Sequence, residues 1–359
     1  MLWWGGGGTG KQAKESGMRA GCGTGVLIGV FGAALAGGWA MCSAAAEAQA
    51  EAEGRKGVCI YLLKEEKLSA PQAVKMPLAE LPLREEPWIA AASIERYDAS
   101  VHLIYLKQPV GKAWDRINLS GTPFVVTADG ERCYMGALWS IISSFSPPKG
   151  VPVINGPVWG KGGTDLVALH GDAKVLSDER VLRVLKRDGQ FSAGIELILD
   201  KVLVVPVGAG AAIRYTYTVT NRDRDALYLL DTDRMDYDYF RRMQKGIAAL
   251  IDLDGEGHVG RPNPLLGMKE LPLPHDKVDP NWFVRLASGE GMTRTATEPH
   301  FRRVPTGRYS CLFHYGFLGH GLGLGGPTGR AAREREDGRV WLGRLSASRE
   351  VRVTGPVEF

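Results

Sequence analysis

The sequence predicts a small α+β domain followed by an all-β sandwich of two sheets. Three observations carry that reading. Residues 213–220 (IRYTYTVT) alternate apolar and polar without a break, and in 308–315 the odd positions Tyr309, Cys311, Phe313 and Tyr315 form an apolar row. A period of two puts those rows on one face of a strand. Ahead of residue 190, apolar β-type runs are instead mixed with short helix starts. The chain has 359 residues, room for about two domains of roughly 150 residues each. It is 44% apolar and 23% charged, which excludes a mainly disordered chain or a multi-span membrane protein. The net charge of +4 is scattered and gives no footprint for nucleic acid.

The first element is an export signal. Residues 26–40 (VLIGVFGAALAGGWA) carry no charge, Arg19 precedes them, and SAAAEAQAEAE follows with small-x-small steps. A spanning helix needs about 20 apolar residues, whereas this order of charge, apolar run and small residues is that of a signal peptide. Residues 1–50 are therefore read as removed, with cleavage after Ala50 and Met18 as an alternative start. An uncleaved amino-terminal anchor is the competing reading. Trp39-Ala40-Met41 ahead of Cys42 lacks the residues of a lipid-attachment site. The mature chain is expected outside the cytoplasm, periplasmic or secreted, and the Ala, Gly and Arg usage points to a bacterium with a GC-rich genome.

Residues 51–165 read as the α+β domain. Strands are predicted at 58–63 (VCIYLL), 101–106 (VHLIYL) and 122–127 (TPFVVT). Asp129-Gly130 then turns the chain into a partner strand at 131–138. Val151 to Ile154 would add an edge strand, since Pro152 removes a ladder donor. Helix starts are predicted near Ser69, with Pro71 in the first turn, and over 89–97. The stretch GTPFVVTADGERCYMGALWS with the later VPVI resembles the periplasmic head region of the protein-export component SecD. That resemblance covers a short segment and implies a fold only. Cys59 and Cys133 fall on predicted strands, either as a disulfide or as two buried thiols on neighbouring strands.

Residues 166–190 read as a helical connector, capped by Ser177, with Val181, Leu182, Val184 and Leu185 as an apolar stripe and Gly189 as its stop. Residues 191–359 then give the sandwich, with strands near 195–199, 213–220, 227–230, 247–252, 292–297, 308–315, 340–345 and 351–353. The glycine-rich and charged segment 318–338 reads as a flexible surface loop. Pro305-Thr306-Gly307-Arg308-Tyr309-Ser310-Cys311 resembles the start of strand F in immunoglobulin-like domains, where a Tyr two residues before a Cys forms a tyrosine corner. The 213–220 strand has no Cys and no Trp marks a strand C, so the resemblance is to disulfide-free relatives such as fibronectin type III and bacterial intracellular proteinase inhibitor-like domains. It implies that the Tyr309 hydroxyl bonds to upstream backbone.

The chemistry is sparse. The sequence contains no G-x-S-x-G, H-E-x-x-H or P-loop, and no cofactor is expected. Asp231, Asp233, Asp236 and Asp238 are the calcium candidates, because alternate carboxylates in a loop suit an oxygen-loving cation. Arg234 intrudes on the set, and solvated loop acids are the preferred reading. His170 with Asp172, or His102 with Asp98, would pair a base with an orienting carboxylate. Without a nucleophile at a strained turn they read as surface or structural histidines. The function expected is a non-enzymatic binding protein whose partner is another protein or a cell-surface component. A proteinase-inhibitor-like module and a hydrolase with a site between the domains are the alternatives. Membrane contact is expected only through an uncleaved amino terminus.

Overall fold

The computed structural model describes residues 56–110, 121–139, 143–155, 164–207, 210–234, 245–254, 258–260, 279–301, 304–317 and 330–354. All of them belong to one compact unit, Arg55–Phe359. The expected signal segment and its apolar run lie outside the described residues. Among the described residues, no helix is long and apolar enough to cross a membrane. Among the described residues the fold is mostly β, in four sheets.

The first sheet contains β1 (Val58–Leu62), β2 (Ile94–Asp98), β3 (Leu103–Val110), β4 (Thr122–Ala128), β5 (Glu131–Trp139), β6 (Val153–Asn155), β7 (Thr164–His170) and β8 (Phe191–Ser192). Their order is β1-β4-β5-β6-β7-β3-β2-β8. Short helices α1 (Ala70–Ala73) and α2 (Ala173–Leu176) and the longer α3 (Glu179–Arg187) accompany it. The α3 stripe Val181, Val184 and Leu185 is buried in one core with Val58, Ile60, Phe124, Val126 and Leu138.

The structure departs from the sequence reading in this half, for physical reasons. The helix expected over 89–97 is a single turn of 3-10 helix, Ala91–Ser93, followed by β2, because Tyr97 N–H is taken by Gln190 O at 2.7 Å and Ile94–Asp98 pairs with β3. Val153–Asn155 is internal, parallel to β5 and antiparallel to β7. Pro152 precedes the strand and contributes only its carbonyl, which accepts from Ala137 N–H at 2.9 Å. The expected connector begins with β7, a central strand. The cap of α3 is Asp178, whose carboxylate accepts from Arg180 N–H at 2.9 Å, while Ser177 closes α2.

In the second half, β9 (Ile195–Val207), β10 (Gly210–Asn221) and β15 (Gly291–Phe301) form a sheet in the order β15-β10-β9. Another sheet holds β12 (Lys245–Asp252), β13 (His258–Gly260), β16 (Gly307–Phe317) and β19 (Gly343–Val353), in the order β13-β12-β16-β19. Their apolar rows meet in one core that includes Tyr215, Tyr217, Val219, Leu250, Tyr309, Cys311, Phe313 and Val351. The ring centroid of Phe313 lies 5.0 Å from that of Tyr215 and 4.8 Å from that of Tyr217. Burying each such side chain contributes about 1.5–3 kcal/mol, so the alternation read from the sequence is also the main source of cohesion here.

A small sheet, β14-β11-β18-β17, is made by β11 (Ala226–Leu230), β14 (Phe283–Leu286), β17 (Glu334–Arg335) and β18 (Gly338–Val340). It shares a core with the first sheet: Leu230, Phe283, Val340 and Leu342 pack with Leu103 and Tyr105. The charged end of the expected surface loop is therefore structural. Residues 330–338 form α4 (Arg330–Arg333), β17 and the start of β18, and the 318–329 part lies outside the described residues.

Candidate functional site

The densest polar chemistry lies where the first sheet meets the small sheet. Asp98 ends β2, Ser192 ends β8, Asp223 sits in the turn after β10, and Arg339 lies on β18. Arg339 Nη2 donates to Asp98 Oδ2 at 3.1 Å, Ser192 Oγ at 2.7 Å and Asp223 Oδ2 at 3.0 Å. Ser192 Oγ donates in turn to Asp223 Oδ2 at 2.5 Å. The Arg339 guanidinium lies 5.4 Å from the centre of the Tyr105 ring, within reach of cation–π attraction. Beside it, Arg333 and Asp165 pair at 2.5 Å. All six charged or hydroxyl side chains of this node are buried.

Local sequence builds the node. Asn221 accepts the Asp223 N–H at 2.8 Å and donates to Asp225 O and Leu286 O, which fixes the turn. Gly194 has φ +69, and a Cβ there would stand 2.2 Å from Asp98 Oδ1. A Cβ on Gly338 would stand 2.0 Å from Ala226 O. Both glycines allow the backbone to close on the ion cluster. Burial pushes the Asp98 carboxyl above its usual range, against the opposing pull of Arg339 and Ser100. Such a closed cluster offers no approach to a substrate. Its chemistry is to join β2 and β8 to the turn after β10 and to β18.

The residues singled out in the sequence are scattered. Asp231 is buried and ion-paired, at 3.2 Å from Arg294 and 3.4 Å from Arg234. Two guanidinium groups already occupy its carboxylate, which opposes a calcium ion there. Asp233 is exposed, and Asp236 and Asp238 lie outside the described residues. Among the described residues, no group of three or more acidic, His or Cys side chains is placed to hold a metal. Cys59 and Cys133 are both free and buried. They sit on β1 and β5, which flank β4. Two strand spacings, about 9–10 Å, exceed the roughly 7 Å limit between the Cα atoms of a disulfide. Cys133 is also the extra residue where the β4–β5 register shifts. Burial raises both thiols, Cys133 to about 11 and Cys311 elsewhere to about 12, so they behave as inert apolar groups. Tyr309 is buried, and its hydroxyl donates to Pro305 O at 2.8 Å.

The histidine pairs do not form as imagined. Asp98 turns to Ser100 and Arg339, and Asp172 caps α2 by accepting from Lys174 N–H at 2.9 Å. His102 instead places Nδ1 2.7 Å from the Tyr97 hydroxyl, in a turn where its own φ is +52. Burial, and then the neighbouring His170, lower its pKa from 6.5. A depressed folded pKa means that the unfolded chain binds the proton more readily, so this stability is present above 6.5 and is lost as pH falls below it. Thermal melts from about pH 7 to about pH 5 should fall more steeply for the wild type than for His102→Asn, which tolerates the left-handed backbone. Equal slopes would show that the His102 pKa is the same in the folded and unfolded chain and would contradict this account.

A second imidazole meets an aliphatic hydroxyl: His314 Nδ1 lies 2.7 Å from Ser346 Oγ, directly across the β16–β19 ladder. Both alternate onto the face turned away from the core. Burial, and then the neighbouring Arg344, lower the imidazole pKa. The sequence reading missed this pair and the Arg339 node alike. Strand register alone brings His314 to Ser346, and no spacing in the sequence links Asp98 to Arg339. No family model, curated protein or solved structure matches the chain.

Proposed function

We propose that this is an exported, non-enzymatic interaction protein, with an α+β head carried on an immunoglobulin-like sandwich. The observation that carries the fold half of this reading is strand order. Taking β9, β10 and β15 as strands A, B and E, and β12, β16 and β19 as C, F and G, the pairings A-B-E and C-F-G are those of an immunoglobulin domain. Tyr309 then sits in strand F, with its hydroxyl on Pro305 O as in a tyrosine corner. One departure stands: β14, where strand D would lie, pairs with β11 instead.

Fold does not assign activity, so the function rests on the surfaces. The Ser346–His314 pair lies on the outward side of a sheet, and the described partners of His314 include no carboxylate to orient the ring as a base. A sheet face with exposed Thr293, Thr295 and Thr297 on β15 and, across β10, exposed Ile198 and Leu203 on β9 suits docking rather than turnover. The test is a fluorophosphonate probe, which labels activated serines. The proposal predicts no labelling beyond that of the heat-denatured chain. Labelling that disappears in Ser346→Ala would overturn it in favour of a hydrolase.

A further inference from the structure

We propose that the free edge of β15 pairs antiparallel with the same edge of a second copy of this chain, centred on Ala296. The two edges of the β15-β10-β9 sheet differ. The β9 edge is guarded. Its register breaks at Asp200, Lys201 is exposed, Pro206 lacks an N–H, and Arg349 Nη1 donates to Leu199 O at 3.1 Å. Bulges, Lys, Pro and capped carbonyls are the means by which sheets block further pairing. Among the described residues, β15 has β10 as its one neighbour. From Gly291 to Glu298 it runs in unbroken register with β10 and contains neither Lys nor Pro, while Pro299 and the one register break of β15 fall beyond Glu298 and bound the open segment.

The sequence of that edge is complementary to itself. Arg294-Thr295-Ala296-Thr297-Glu298, laid against an antiparallel copy about Ala296, sets Arg294 opposite Glu298 twice and Thr295 opposite Thr297 twice. Opposite charges and paired threonines are favourable cross-strand neighbours. The small Ala296 falls on the axis, and a two-fold contact of this kind closes on itself. Arg294 and Glu298 are half-buried and already held, by Asp231 at 3.2 Å and by the Tyr215 hydroxyl at 2.8 Å, so both are fixed beside the edge. The product is a continuous sheet across two copies.

Sedimentation velocity of the full chain should show a species of twice the monomer mass. Thr295→Lys/Thr297→Lys places like charges opposite each other and should abolish that species. Thr295→Lys/Thr297→Glu restores opposite charges in this register alone and should recover it. Thermal melts of each variant confirm that the fold is retained, as expected for exposed threonines. A wild-type monomer up to the solubility limit, a doubly lysine-substituted chain that still dimerises, or a Lys/Glu chain that does not, would each overturn the proposal.

Discussion

Arg339→Ala is expected to destabilise the chain by about 3–5 kcal/mol, the cost of leaving buried charges without their partner. Asp98, Ser192 and Asp223 all bond to one nitrogen of this side chain, so a single truncation strips two buried carboxylates of their shared cation and leaves Asp223 with only the Ser192 hydroxyl on Oδ2. A surface ion pair would be worth about 0–1 kcal/mol, and the difference between these magnitudes makes the test decisive. Arg339→Lys should fall in between, because an ammonium keeps the charge and loses the planar fork. Asp98→Asn combined with Arg339→Met should cost less than the sum of the two single changes, since the members of one network couple. Urea denaturation of the five variants, the two single changes included, measures this directly. A loss below about 1 kcal/mol for Arg339→Ala would mean that water reaches the node and screens it.

Tyr309→Ala should cost about 3–5 kcal/mol, because it removes a buried ring from the core. Tyr309→Phe isolates the hydroxyl. Pro305 is itself exposed, so its carbonyl can turn to water once the bond is lost. The expected cost is therefore near the low end for an unpaired group, about 1 kcal/mol. Ser310→Ala is the control. Ser310 alternates away from the core and should stay within about 0.5 kcal/mol of wild type. Chemical melts rank the three. If Ser310→Ala cost as much as Tyr309→Phe, the face assignment of β16 would be wrong.

How far the sequence could be read follows from where each signal lives. The rows Ile213, Tyr215, Tyr217, Val219 and Tyr309, Cys311, Phe313 were visible, because half-buried antiparallel strands write their burial into a period of two. The hairpin at Asp129-Gly130 was visible in its turn chemistry, with Asp129 at φ +52 and Gly130 at φ +86. By contrast, β2 and β7 were missed. Each also pairs with a strand distant in the sequence, β2 with β8 and β7 with β3, and neither alternates clearly. Arg333 and Arg339 sit in REREDGR, which reads as a solvated charge run. Only tertiary structure shows that Asp165, Asp98 and Asp223 await them. Strand pairing likewise decides the cysteine question, since Cys59 and Cys133 are separated by β4 rather than adjacent.

The shared core of Leu103, Tyr105, Val340 and Leu342 and the buried Arg339 node join the two halves that the sequence reads as successive domains. One cooperative body is therefore expected. Differential scanning calorimetry of the chain tests this most directly. A single transition is predicted, with calorimetric and van't Hoff enthalpies that agree, as in two-state unfolding. Two resolved transitions, with Arg339→Ala shifting neither relative to the other, would show that the halves fold independently and that the node does not couple them.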